Sequence, residues 1–283
     1  MKNFHYYRRK WANRLFAFLC GAACVFSVTV LGLLLGYVVY QGASALNWAF
    51  FFHLPAPVGE TGGGMANAIL GTLMLITIAS AIGIPVGIGT GLYLAEYGRG
   101  PFAKIVRYLT DVLNGLPSIV MGLFAYALIV IPMKGFSGLA GGVALSLLMI
   151  PVIVRTTEEV VKLVPNTLRE GALALGIPPS KVILRIVVST AKGGIITAVV
   201  LGIARIMGET APLLFTAFGN PFWEFNPLQP IAAMTLQIFN YAISPYEDWH
   251  AKAWAGALVL VGMSLLINVF ARFFTLRNLR KNS

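Results

Sequence analysis

Charge is scarce in this chain. Asp, Glu, Lys and Arg make up 11% of its 283 residues against 58% apolar side chains, and the mean hydropathy is +0.80. Soluble domains carry about a quarter charged residues, so a water-soluble fold is excluded and a membrane protein is implied. Acidic residues are rarer still, ten against 21 Lys and Arg, for a net charge of +11. Such an excess could serve nucleic acid, but the cations lie between the apolar runs, as membrane topology requires, and no nucleic-acid partner is expected. Only two cysteines occur, Cys20 and Cys24, one helical turn apart in an apolar run without His or acid company for a metal. The three histidines, His5, His53 and His250, are scattered and read as surface residues. Nowhere does Gly precede Lys, which excludes a Walker A phosphate loop and therefore ATP hydrolysis by this chain. A soluble domain boundary, a low-complexity tract and a heptad repeat are all missing.

What the chain has is long apolar runs. Residues 1–14 carry Lys2, Arg8, Arg9, Lys10 and Arg14, and an apolar run follows to about Gln41. A bilayer needs about 20 residues and a signal-peptide core only about 7 to 15, so this is an uncleaved anchor despite Ala43-Ser44-Ala45. Residues 42–65, with Gly62-Gly63-Gly64, read as an external loop. The second span, 66–95, holds Gly83, Gly87 and Gly91 four apart, a flat stripe for close helix packing, and a kink at Pro85. The third, 111–131, opens with Asp111, Asn114, Gly115, Pro117 and Ser118. Such an interruption survives in a membrane only when buried in protein or lining a cavity, and cavity lining is the favoured reading. A fourth span covers 138–154 and ends at Arg155, a fifth 193–218 and a sixth 253–274. Residues 219–250, with Glu224, Glu247 and Asp248, form an external excursion whose apolar part, 230–241, is too short to span. With both ends inside, every Lys and Arg except Lys134, Lys252 and Arg205 falls in an internal segment. The expectation is an all-α membrane protein of six transmembrane helices with both termini cytoplasmic. Residues 1–14 form a cytoplasmic segment, 15–274 the membrane domain with an internal loop at 155–192, and 275–283 a cytoplasmic tail.

Two stretches carry chemistry. In residues 163–189, Thr167 and Glu170 have capping-box spacing, Gly176 stands where a C-terminal cap belongs, and Pro178 and Pro179 restart the chain. This predicts a short helix, a sharp corner and a second helix. The first is too short to be stable alone, so Leu168, Ala172 and Leu175 need another surface, read here as another polypeptide. A capped amphipathic helix at the membrane surface is the plainer alternative. In the fifth span, Arg205 lies near the expected bilayer midplane and Glu209 one turn on. An unpaired Arg there costs at least about 2.5 kcal/mol, so it must face a partner or water. Either the pair pins helices together, or Arg205 meets an oxyanion in transit through its planar paired donors while Glu209 holds it between passages. Asn114, Ser118 and Asp111 are weaker pathway candidates.

The run from Glu170 resembles the EAA loop of ABC-importer permeases, with Glu170, Ala172, Gly176 and Ile186 in register, Gly171 and Val188 as mild departures, and Ser189 in place of the usual Pro. The resemblance implies a type I permease fold and makes Glu170, Ala172, Gly176 and Leu168 the coupling helix that enters a groove on a separate ATPase subunit. From about Asn67 onward, segments such as LNGLPSIVMGLFAY, IPVIVRTTEEVVKLVP and GETAPLLFTA look like the phosphate-importer permeases of the PstA type. That likeness implies phosphate as substrate and a cell inner-membrane location. It also implies a sister permease (PstC type), an ATPase dimer (PstB type) that binds the ATP, and an external phosphate-binding protein (PstS type). No cofactor in this chain and no enzymatic activity of its own are implied. The rival readings are a permease for sulfate or molybdate, an integral-membrane enzyme acting on lipid phosphate, and an ion channel.

Overall fold

The structure, a computed structural model, describes residues 2–57, 60 and 62–280. Lys281 lies outside the described residues, as do the side chains of His5, Arg272, Arg277 and Arg280. No extended strand occurs among the described residues, and the chain is a bundle of helices. Helix α1 is Lys2–Ala43, α2 is Trp48–Phe52 and α3 is Ala66–Glu96. Then come α4 (Pro101–Gly115), α5 (Ser118–Met133), α6 (Gly138–Lys162), α7 (Asn166–Ala174) and α8 (Pro179–Met207). A short α9 (Ala211–Leu214), α10 (Met234–Ala242) and the long α11 (Glu247–Arg280) complete it. Five helices are long and apolar enough to cross a membrane, and six if α4 and α5 count as one bent span.

Helix α6 is the centre. The glycine stripe of α3 lies along it: a Cβ on Gly87 would stand 2.7 Å from the Cβ of Ile153, and one on Gly91 2.7 Å from the Cβ of Thr157. From the other side, α8 brings Gly202 against Met149 and Ile153. Small residues let backbones approach, and in lipid that contact, not water exclusion, holds helices together. Around this seam Leu75, Leu145, Met149, Ile153, Ile206, Leu213 and Ile231 form the main buried core. The helix-packing role expected of Gly83, Gly87 and Gly91 is what the structure shows. Helix α1 meets the bundle only near its end, where Gly42 lies on Trp254 and Leu258 and the Tyr37 ring meets Trp254 edge-on at 5.2 Å.

Four expectations are corrected. The third span is two helices meeting at 108°; Leu116 and Pro117 are both extended at ψ 138°, as a residue before proline and a proline prefer. The fifth starts at Pro179 and stops at Met207, so residues 208–218 are not part of it. Residues 230–241 are no mere external loop. Ile231, Ala232, Ala233 and Met234 are buried, the Met234 amide donates to Thr72 Oγ1 at 2.8 Å, and Thr235 Oγ1 donates to the Glu209 carbonyl at 2.9 Å. A segment too short to cross a bilayer can still be plugged into a bundle, because length limits spanning and not burial. Finally, α7 has no capping box. Pro165, extended at ψ 138°, takes the N-cap position, Thr167 already lies inside the first turn, and Glu170 is exposed.

The corner after α7 is as expected. Gly176 is left-handed at φ +75°, its amide donates to the Leu173 carbonyl at 2.9 Å, and that of Ile177 to Ala172 at 3.2 Å. These are the two bonds of a Schellman cap, and the prolines behind it prevent continuation.

Candidate functional site

Between α6 and α8, the short helix α7 is seated by one buried residue and one arginine. Ala172 is 6% exposed, turned onto the chain itself where α7 packs on the first turns of α8. Its surface is therefore supplied from within, whereas Leu168, Leu173 and Leu175, the last 82% exposed, are left uncovered. Arg169, one turn before Ala172, also fixes the helix. Its Nη2 lies 2.7 Å from Glu96 Oε1, at the end of α3, and donates to the Val161 carbonyl at 3.1 Å. Its Nη1 donates to the Val164 carbonyl at 2.5 Å and to Asn166 Oδ1 at 3.2 Å. A guanidinium satisfying carbonyls at a helix C-terminus also complements the helix dipole.

Beside it lies a second cluster that sequence reasoning missed. Glu158 of α6 is fully buried and accepts from Arg107 Nε of α4 at 2.7 Å and from Lys162 Nζ at 2.5 Å. Arg155 stands 4.0 Å from Glu158 and from Asp111, and 3.4 Å from Glu159. A buried carboxylate is tolerable only when so paired. The signal available in the sequence was the i, i+4 spacing of Glu158 and Lys162; nothing local announces Arg107 or Glu96.

Arg205 and Glu209 are brought together as an ion pair. Arg205 belongs to the last turn of α8 and its side chain is 45% exposed, while that of Glu209 is 11% exposed. Glu209 faces a small void between Thr72, Leu145, Ile206 and Thr235, and its backbone carbonyl is held by the Thr235 hydroxyl. One member of the pair is thus fixed in the core and the other reaches outward. Asn114 is exposed and Ser118 half-buried, on either side of the α4–α5 corner. No hydrogen bond or ion pair among the described residues joins them to Arg205 or Glu209. The connection is packing: α5 lies on α9, where a Cβ on Gly122 would stand 2.5 Å from the Cα of Pro212, just past Glu209. Among the described residues, no three His, Cys, Asp or Glu converge as metal ligands would.

The bundle thus combines a bent span, a short helix with exposed leucines between two spans and an arginine half exposed at a helix end. Residues 83–280 match the family described as binding-protein-dependent transport system inner membrane component, and the chain belongs to it as a multi-pass inner-membrane permease. Within that class it stands with the PstA permeases. Over 275 residues it is 46% identical to the phosphate transport system permease protein PstA of Pasteurella multocida (strain Pm70), covering 97% of this chain and 98% of that one. It is 44% identical to the protein of that name from Yersinia pestis, over 93% and 90% of the two chains. To the probable phosphate transport system permease protein PstA of Methanocaldococcus jannaschii it is 34% identical, over 92% of each. The fold is also that of a solved ABC importer: a chain of the inward-facing MetNI methionine transporter superposes with a TM-score of 0.61 at 16% identity, over 76% of this chain and 97% of that one. The expected permease fold is thereby established, and the lipid-phosphate enzyme is set aside.

Proposed function

We propose that this chain is one of two permease subunits of an ATP-driven importer of inorganic phosphate, with both of its termini in the cytoplasm. The observation that carries the reading is the asymmetry of the Arg205–Glu209 pair: a core-held carboxylate grips a guanidinium that is nearly half exposed at a helix end. Arg205 offers two parallel donors to a phosphate's oxygens. Glu209 holds Arg205 between passages and competes with the anion, which keeps the site weak enough to release. Asn114 and Ser118 border the same pathway at the bend. Helix α7, with Leu168, Glu170 and Gly176 placing its free face, docks on an ATPase subunit that binds and hydrolyses ATP. Ala172 acts by seating α7 rather than by touching that partner. The sister permease shares the pathway, and an external phosphate-binding protein delivers the substrate.

The test is Arg205→Gln in the complete importer. The variant should still copurify with its partners, and phosphate uptake should fall at least about a hundredfold, since charged hydrogen-bonding groups contribute about 1.5–3 kcal/mol each. Loss of assembly would instead make the pair a structural pin. ATPase stimulation by a sulfate-loaded but not a phosphate-loaded binding protein would transfer the reading to another oxyanion.

A further inference from the structure

Two arginines grip the end of α3 from opposite sides. Arg169, from α7, pairs with Glu96, the last residue of α3. Arg107, from α4, donates to the carbonyls of Leu94 and Gly98, at 2.8 and 3.0 Å, which bracket Glu96 in the chain. The same guanidinium reaches Glu158 of α6. Gly98 leaves the room for this: a Cβ there would stand 2.6 Å from Arg107 Nη2. Both guanidiniums are largely buried and have several donors engaged, so each holds its helix in one orientation. Beyond Arg107 the chain runs through α4 to the Leu116-Pro117 corner, and α5 after it lies on α9 at Gly122 and Pro212. Helix α9 begins just after Glu209.

We propose that Arg169, Glu96, Arg107 and Glu158 form the mechanical linkage that carries displacement of α7 into the bent α4–α5 pair, and through Pro212 to the Arg205–Glu209 site. The proposal rests on reading α7 as the ATPase-docking helix. Helix α7 cannot move away from α3 without breaking Arg169–Glu96, and the end of α3 cannot move without dragging α4, because Arg107 holds the Leu94 carbonyl within α3 and the Gly98 carbonyl just beyond it. Coupling of this kind travels through rigid elements joined by hydrogen-bonded pairs. All four are positioning residues, since none of them meets the transported anion. If they merely stapled the fold, their loss would lower stability and leave the ratio of transport to ATP hydrolysis unchanged.

The experiment uses the whole importer in vesicles, supplied with phosphate-loaded binding protein. Arg169→Glu and Glu96→Arg are compared with the exchange of both charges. Each single variant should assemble and hydrolyse ATP, with phosphate imported per ATP down about tenfold; the exchange should recover to within about threefold of the native ratio, as coupled pairs do in double-mutant cycles. A second measurement places spin labels at Thr167 and Lys104 after Cys20 and Cys24 are replaced by Ser. Their separation should stay constant between nucleotide-free and ATP-bound states in the native background and change in Arg169→Ala. The linkage is overturned by single variants with native import per ATP, by an assembled exchange variant that recovers nothing, or by a label separation that shifts with nucleotide in the native background. The last decides even if the single variants fail to assemble. A native chain that retains no ATP-hydrolysing subunit would overturn the docking reading and the linkage together, and it is told apart because it shows before any substitution is made.

Discussion

Ile153 of α6 is flanked by Gly87 of α3 and Gly202 of α8, and its side chain fills the space that two missing methyl groups leave. Gly87→Ala would place a Cβ within 2.7 Å of two Ile153 carbons, and overpacking of this kind costs about 1–3 kcal/mol. We expect the thermal midpoint of the detergent-solubilised importer to fall measurably in Gly87→Ala and not to recover when Ile153→Val is added, because valine keeps the Cβ and Cγ2 that the new methyl group meets. An unchanged midpoint would mean that α3 and α6 separate freely. At this scale the sequence was readable where a residue's role repeats along one helix, as in the glycine stripe. It was silent where partners are distant in the chain: Glu96 and Arg169 are 73 residues apart, and Arg107 and Glu158 are 51 apart. Each of these four looks like any loop charge until the fold juxtaposes them.

Among helices with continuous apolar runs, α3 is legible nearly to the residue, expected at 66–95 and found at Ala66–Glu96. Helix α6 instead continues from the expected 154 to Lys162, and α11 reaches beyond 253–274 to Glu247 and Arg280. The breaks were legible in kind but not in geometry. Gly115 and Pro117 announce an interruption, yet its angle of 108° goes with the packing of α4 and α5 on α6 and of α5 on α9, which no local residue encodes. The fifth helix differs from its apolar run at each end for a different reason. Lys181, Arg185 and Lys192 lie in its first turns, so it starts before the run does, and apolar residues continue past Met207, so composition does not mark where it stops. At this scale the proposed coupling role can be tested in the corner after α7. Gly176 has open space around it, so Gly176→Ala adds no clash and only the left-handed backbone strain, about 1–2 kcal/mol. Hydrogen exchange at residue 176 and at Ile177 should accelerate about five- to thirtyfold on that account, and import per ATP should fall. Unchanged exchange would show that the cap is held from outside the chain.

Across the whole molecule, the distribution of Lys and Arg argues an orientation that single-cysteine labelling tests directly. In a background lacking Cys20 and Cys24, cysteines at Lys134 and Lys252 should react with an impermeant maleimide added outside the cell, and one at Thr167 only after the membrane is opened. The reverse pattern would invert the topology and put α7 beyond the reach of cytoplasmic ATP. Because glycines on both flanks let α3 and α8 rest their backbones on α6, these three helices make a slab without slack. Such a slab can rock as one piece but cannot part down its middle, so on the proposed reading the anion's route runs along its edge, beside Arg205. On that reading a single copy, purified alone, should leak nothing, because the proposed sister permease completes the conduit wall.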